Sequence, residues 1–182
     1  MGENRYEKCF LEGVDMKALS AKGISRSYGG TNVLSDFSLD IDEGGFEVLM
    51  GPSGSGKSTF LHIAGGLLEA DAGSLEIGGH DVVKMSDAES ARFRRRNVGI
   101  VFQSFNLLPS KSVKENIFLP LKLDGVSKKE ISSVEPRLNA LSEILGISNL
   151  LSKKTEMLSG GEKQRVAVAR ALIASPSVVL AD

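Results

Sequence analysis

The stretch that most limits how this chain can fold is Gly51-Pro52-Ser53-Gly54-Ser55-Gly56-Lys57-Ser58, which fits G-x-x-x-x-G-K-[ST] at every fixed position. Its flanks matter as much as its letters. Phe46–Met50, just upstream, is a short apolar run that predicts a buried strand, and the residues from Lys57 to about Leu67 predict a helix. A strand feeding a glycine-rich turn that opens a helix is the repeating step of an α/β protein. Strands covered by helices on both faces read as short apolar runs rather than as alternations. Val98–Phe102 and Ser177–Leu180 have the same look. The expected fold is therefore α/β, a phosphate-loop core with a mostly parallel sheet and helices packed on it.

The chemistry of the loop follows from its residue types. Glycine permits a tight curl that turns successive backbone N–H groups inward, and such a nest accepts anionic oxygens. The helix opening at Lys57 adds its own N–H groups and the positive end of its dipole. Lys57 is placed to reach the β- and γ-phosphates of a nucleotide, and the Ser58 hydroxyl suits Mg²⁺. Gly51, Pro52, Ser53, Gly54, Ser55, Gly56, Lys57, Ser58 and Thr59 are the candidate nucleotide-binding residues.

Elsewhere the chain alternates between strand and helix signals. Lys17 to Tyr28 is β-like and ends in a Gly29-Gly30 turn. Val33, Phe37, Leu39 and Ile41 are apolar against polar Asp36, Ser38 and Asp40, the mark of a half-buried strand. Leu75–Ile77 and Gly78-Gly79 suggest a small hairpin. Ser86–Glu89, Ser112–Glu115 and Ser127–Glu130 each have the form of a capping box, so helices are expected behind them. Behind the third, Ile131, Val134, Leu138, Leu141 and Leu145 make one apolar stripe that Gly146 should stop and Pro136 should kink. Gly161–Ala174 reads as a further helix. Residues 1–15 are charged and patternless and read as a disordered extension, with regular structure beginning at Met16.

Charge does not point to nucleic acid or an anionic surface, because 22 basic residues stand against 23 acidic ones. Arg92, Arg94, Arg95 and Arg96 fall at the end of the helix predicted from Ser86, where cations complement the dipole. The longest membrane candidate, Phe60–Leu68, is broken by His62, Gly65 and Gly66. No apolar segment of a secretory signal stands at the start. The lone Cys9 reads as an inert thiol that fits a reducing cytosol.

A second motif narrows the role. In Leu158-Ser159-Gly160-Gly161-Glu162-Lys163-Gln164-Arg165, Ser159 caps a helix and two glycines leave its first amides accessible, which makes a second anion site. With the following Val-Ala-Val-Ala-Arg-Ala-Leu, this segment resembles the signature motif of ATP-binding cassette ATPases. The resemblance runs from about Met16 to Asp182. It implies ATP and Mg²⁺ as ligands, and a head-to-tail pair of ATP-binding subunits in which Ser159, Gly160 and Gly161 serve the γ-phosphate held by the opposite chain. Gln103 resembles the glutamine that approaches Mg²⁺ and the attacking water, Tyr28 the aromatic that stacks on adenine, and Asp182 the aspartate that holds Mg²⁺ through water. Lys57 and Gln103 would then be the catalytic groups, and Ser58, Gln103 and Asp182 the metal-facing ones.

The same resemblance implies a nucleotide-binding core of residues 16–103 and 170–182 and a helical subdomain of residues 104–169. Phe102-Gln103-Ser104-Phe105-Asn106-Leu107-Leu108-Pro109 and Ser112–Asn116 look most like the lipoprotein-release, macrolide-export and cell-division group. The expected role is an ATPase subunit that moves integral membrane permease subunits from the cytoplasmic face of the inner membrane. A soluble ATPase of the same family acting on DNA or ribosomes is the alternative, and a non-hydrolysing nucleotide-binding fragment is another. The family's catalytic glutamate directly follows the position of Asp182, where this sequence ends, so the expectation is a truncated chain that binds nucleotide and does not hydrolyse it.

Overall fold

The computed structural model of the chain describes residues 17–182. The expectations for residues 1–16, namely a disordered extension, a start at Met16 and an inert Cys9, lie outside the described residues. The chain divides into two compact units, one ending at Met85 and one spanning Ser86–Asp182.

The first unit is built on an antiparallel sheet. Strands β1 (Lys17–Tyr28), β2 (Thr31–Asp42), β3 (Ala72–Ile77) and β4 (His80–Asp81) lie in the order β2-β1-β3-β4. Two hairpins, turning at Gly29-Gly30 and at Gly78-Gly79, account for two of its three pairings. Leu19 and Ala21 are buried on one face of β1, and strict alternation would place Gly23 there next. A register shift between Ala21 and Ile24 brings Ile24 to that face instead, since one extra residue reverses the parity of a strand. A similar shift opposite Arg26, with Asp36 at φ 51°, makes Leu34 the buried residue where the alternation pointed to Val33. Helix α1 (Lys57–Ala64) buries Phe60, Ile63 and Ala64, and the Phe60 ring lies 4.6 Å from that of Phe37 on β2. It stops at Ala64, short of the expected Leu67, because Gly65 and Gly66 follow.

Phe46–Met50 is a correction. It forms no strand, and Phe46 and Met50 are 89% and 87% exposed. A strand exists only as one side of a ladder, and among the described residues nothing pairs with this run. Apolar composition alone does not supply that partner.

In the second unit, β5 (Val98–Val101) and β6 (Val178–Ala181) pair in parallel, from Val98↔Val178 to Val101↔Ala181. The chain is thus α/β as expected, with its parallel pairing in this unit and an antiparallel sheet in the other. Helix α2 (Asp87–Asn97) precedes β5, and its Arg95 and Arg96 reach Asp124 at 3.4 and 2.6 Å. Between the two strands run α3 (Val113–Ile117), α4 (Leu119–Leu123), α5 (Lys128–Ser133), α6 (Glu135–Ile144) and α7 (Gly160–Leu172). Their core holds Val113, Ile117, Phe118, Leu138, Ile147, Leu150, Leu158, Val166, Ala169 and Ile173.

The helix expected behind Ser127 is two helices. Pro136 lacks an N–H and its ring collides with the preceding turn, so it stands in the first turn of α6 rather than inside a longer helix. The apolar stripe survives the break: Leu138 is buried, and Ile131, Val134, Leu141 and Leu145 pack around the core. Gly146 stops α6 as expected. At φ 63° it donates to Glu143 O at 3.0 Å, and Ile147 donates to Ser142 O at 2.8 Å, which closes the last carbonyls and drives Ile147 into the core.

All three capping boxes are present, as is a fourth at Ser159 and Glu162. Each glutamate accepts from its serine hydroxyl and from the serine N–H, which holds Glu89, Glu130 and Glu162 below the usual carboxylate range and Glu115 down at about 2.

Two outcomes follow. Gly146→Ala should lower the unfolding free energy read from a urea titration by about 1 kcal/mol, the cost of a Cβ in the left-handed region. Nothing lies within 4 Å of that Cβ, so the cost is conformational and not a clash. Because the folded Glu115 pKa lies below its ordinary 4.5, its contribution is present above pH 4.5 and lost as pH falls towards 2. Denaturation midpoints measured across that window should fall in the wild type and fall less in Glu115→Gln.

Candidate functional site

The phosphate loop is shaped before any ligand arrives. Gly56 is the N-cap of α1 at φ 88°, and a Cβ there would lie 2.7 Å from Val33 O and 2.8 Å from Leu34 Cδ2. Only glycine both takes that conformation and lets the loop lie this close to β2. Ser55 donates to Pro52 O at 3.3 Å, and Phe60 to Gly56 O at 2.8 Å, closing the first turn of the helix. Lys57 folds over the loop. Its ammonium donates to Gly51 O at 2.9 Å, Pro52 O at 2.8 Å and Ser55 Oγ at 3.2 Å. A cation is therefore fixed over the glycines at the positive end of a helix that has no acidic residue in its first turn. Gly51, Pro52, Ser53, Gly54, Ser55, Ser58 and Thr59 are all on this loop and first turn, accessible to a ligand.

Tyr28 ends β1 in the same unit and is 45% exposed. Sequence reasoning missed its neighbour. The Arg26 guanidinium stands 5.1 Å from the Tyr28 ring centroid and donates to Asp71 at 2.6 Å. The i, i+2 spacing along one strand face, Arg26 then Tyr28, is the signal that could have found it.

In the second unit Gln103 follows β5 and Asp182 follows β6. The Asp182 N–H donates to Val101 O at 3.0 Å, continuing the parallel ladder. Both residues thus leave the carboxyl ends of adjacent parallel strands, the edge at which open α/β sheets bind ligands. Ser159 is the N-cap of α7, with Gly160 and Gly161 in its first turn. Glu162 accepts from Ser159 N at 2.8 Å and from Ser159 Oγ at 2.7 Å. A Cβ on Gly160 would meet nothing within 4 Å, so the chain's own packing does not call for glycine there.

The metal candidates carry oxygen donors in each unit: the Ser58 hydroxyl in the first, and the Gln103 amide carbonyl and the Asp182 carboxylate in the second. Oxygen donors are the kind Mg²⁺ takes, and it completes its shell with phosphate and water. Among the described residues no three His, Cys, Asp or Glu side chains gather into a metal cage. No helix among them is long and apolar enough to cross a membrane.

Comparison with known proteins agrees with the geometry. The family model for ABC transporters matches residues 34–182. The lipoprotein-releasing system ATP-binding protein LolD of Bacteroides thetaiotaomicron is 44% identical over 164 residues, covering 90% of this chain and 74% of that protein. Among solved structures, the dimer of MJ0796, a bacterial ABC transporter cassette, superposes with a TM-score of 0.79 at 36% identity, covering 90% of this chain and 73% of that one. A dimeric post-hydrolysis state of MJ0796 bound to ADP and Pi gives 0.77, with the same identity and coverage. The chain belongs to the ABC transporter family, as an ATP-binding cassette.

Proposed function

We propose that the chain binds Mg-ATP on Gly51–Thr59 and acts as the ATPase subunit of a transporter, with two such chains pairing head to tail. The observation that carries this reading is the fixed Lys57 ammonium over a glycine loop at an uncapped helix N-terminus. Backbone N–H groups of the loop and first turn would take the phosphate oxygens, and Lys57 would turn from the loop carbonyls towards the β- and γ-phosphates. The exposed Tyr28 ring, steadied by Arg26, would stack on adenine. Ser58, Gln103 and Asp182 would hold Mg²⁺, which supplies positive charge to the phosphates when bound.

The second anion site belongs to the partner's ATP. The capping box engages the N–H groups of Ser159 and Glu162, which leaves those of Gly160 and Gly161 for an incoming γ-phosphate. Open space at Gly160 supports this use, as does the dimeric form of the MJ0796 cassette. In this division of labour residues 16–103 and 170–182 form the nucleotide core and residues 104–169 the helical subdomain. Membrane permease subunits would receive the motion, with the chain peripheral at the cytoplasmic face of the inner membrane. The likeness to LolD makes lipoprotein release the first transport role to test, and it favours the transporter reading over a soluble ATPase acting on DNA or ribosomes.

Two variants test the two sites separately. Lys57→Ala should weaken ATP binding by roughly thirtyfold, the scale of losing about 2 kcal/mol of charge-assisted hydrogen bonding. Fluorescent-nucleotide titration reads this, and unchanged affinity would remove the phosphate loop from the account. Ser159→Arg should leave ATP binding within error of wild type and prevent ATP-dependent pairing. Sedimentation with ATP and no Mg²⁺, which holds turnover off, decides it; dimers like those of the wild type would sink the head-to-tail arrangement.

A further inference from the structure

The loop after Gln103 contains a local cost that something must hold in place. Phe105 and Asn106 are consecutive non-glycine residues in the left-handed region, at φ 62° and 48°. Each brings its Cβ close to a carbonyl oxygen, so two in a row persist only where surrounding groups fix them. The loop's own bonds, Phe105 N–H to Phe102 O at 2.9 Å and Asn106 N–H to Ser104 O at 2.7 Å, are joined by Arg170, on α7, which holds both residues from outside the loop. It is 8% exposed; its Nη1 donates to Asn106 O at 2.5 Å and its Nη2 to Phe105 O at 2.6 Å.

Arg170 has no carboxylate partner among the described residues, so it is not one half of a buried ion pair. Burial pulls its pKa below the ordinary value, and the two carbonyls are the compensation for keeping its charge inside. A planar guanidinium can span two successive carbonyls in this way, whereas an ammonium offers one point. Around the clamp, Phe105 and Leu107 pack with Val101, Ala167 and Ala171. Further along, the buried Asn116 accepts from Leu108 N at 2.7 Å and donates to Leu108 O at 3.1 Å, and Thr155 Oγ1 donates to the same carbonyl at 2.8 Å. The loop is therefore tied down on its far side, and Gln103 is left exposed between the end of β5 and the clamp.

We propose that Arg170 is a positioning residue for Gln103, fixing the glutamine's loop from the helix that carries Ser159, Gly160 and Gly161. The inference rests on the reading of Gln103 as the Mg²⁺-approaching glutamine. It adds that the signature motif and the Gln103 loop are held by one rigid rod, about three helical turns apart.

Arg170→Met keeps the stem and removes the donors; Arg170→Lys keeps the charge with one donor head. In Arg170→Met, amide exchange at Phe105–Leu108 should rise by about tenfold or more, the scale of losing hydrogen bonds to a charged group, while Val166–Ala169 keep their protection. The gain in ATP affinity that Mg²⁺ confers should shrink in Arg170→Met, shrink less in Arg170→Lys, and be no smaller in Gln103→Ala/Arg170→Met than in Gln103→Ala alone. Unchanged exchange in the loop, or faster exchange throughout residues 86–182, would overturn the clamp. Additive losses in the double variant, or an unchanged Mg²⁺ gain in Arg170→Met, would overturn its action through Gln103. A wild type that binds no ATP would overturn the nucleotide reading itself and with it the role assigned to Gln103, with the exchange result still judging the clamp.

Discussion

The second unit depends on how closely α7 lies against β5. A Cβ on Gly99 would stand 2.5 Å from Ala171 O and 3.1 Å from Pro176 Cγ, so no other residue fits between strand and helix without moving one of them. Alanines continue that close approach: Ala167 and Ala171 pack against Val101. The larger Val166 of the same helix, and Ile173 just past its end, join Leu138 and Ile147 in the helical core. One helix thus joins the parallel strands on its small-residue side to the helical layer on its bulky side. Because both sides are packed, its N-terminus has little freedom, and that N-terminus is where Ser159, Gly160 and Gly161 stand.

How much of this could be read from the letters depends on how local the cause was. Serine–glutamate boxes, the Gly146 stop and the phosphate loop are decided within a few residues, and each is where the sequence put it. Pro136 is an obstacle legible in the letters, and its effect, a new helix instead of a kink, is equally local once the missing N–H is considered. The failures lie where a distant partner decides. Phe46–Met50 carries strand-like residues and has no ladder among the described residues. Leu34 rather than Val33 is buried because register shifts between β1 and β2 reset parity, and a register shift leaves no mark in either strand alone. Arg170 and Asn116 went unseen for a different reason. Each is a polar residue among apolar helix neighbours, Arg170 four positions after Val166 and Asn116 beside Ile117, and that misfit was the available signal.

Helix ends supply the last step. Ser86, Ser112, Ser127 and Ser159 close their helices with a hydroxyl and bring a glutamate carboxylate to the same end. Such an end has its acceptor already and offers less to an outside anion. Helix α1 does the opposite: Gly56 has no side chain to cap it, no acidic residue follows, and Lys57 adds a positive charge. The two candidate phosphate-facing motifs are therefore unequal by construction. On the proposed reading, Gly51–Thr59 is strong enough to hold ATP in a single chain. The α7 end, with the Glu162 carboxylate over Ser159 and two amides remaining, is a weak anion site by itself. A weak site of this kind gains its value when the phosphate is already delivered, because the entropic cost of capturing the ligand has been met elsewhere. Pairing of two chains would then respond to ATP held on the loops, and free phosphate would not trigger it.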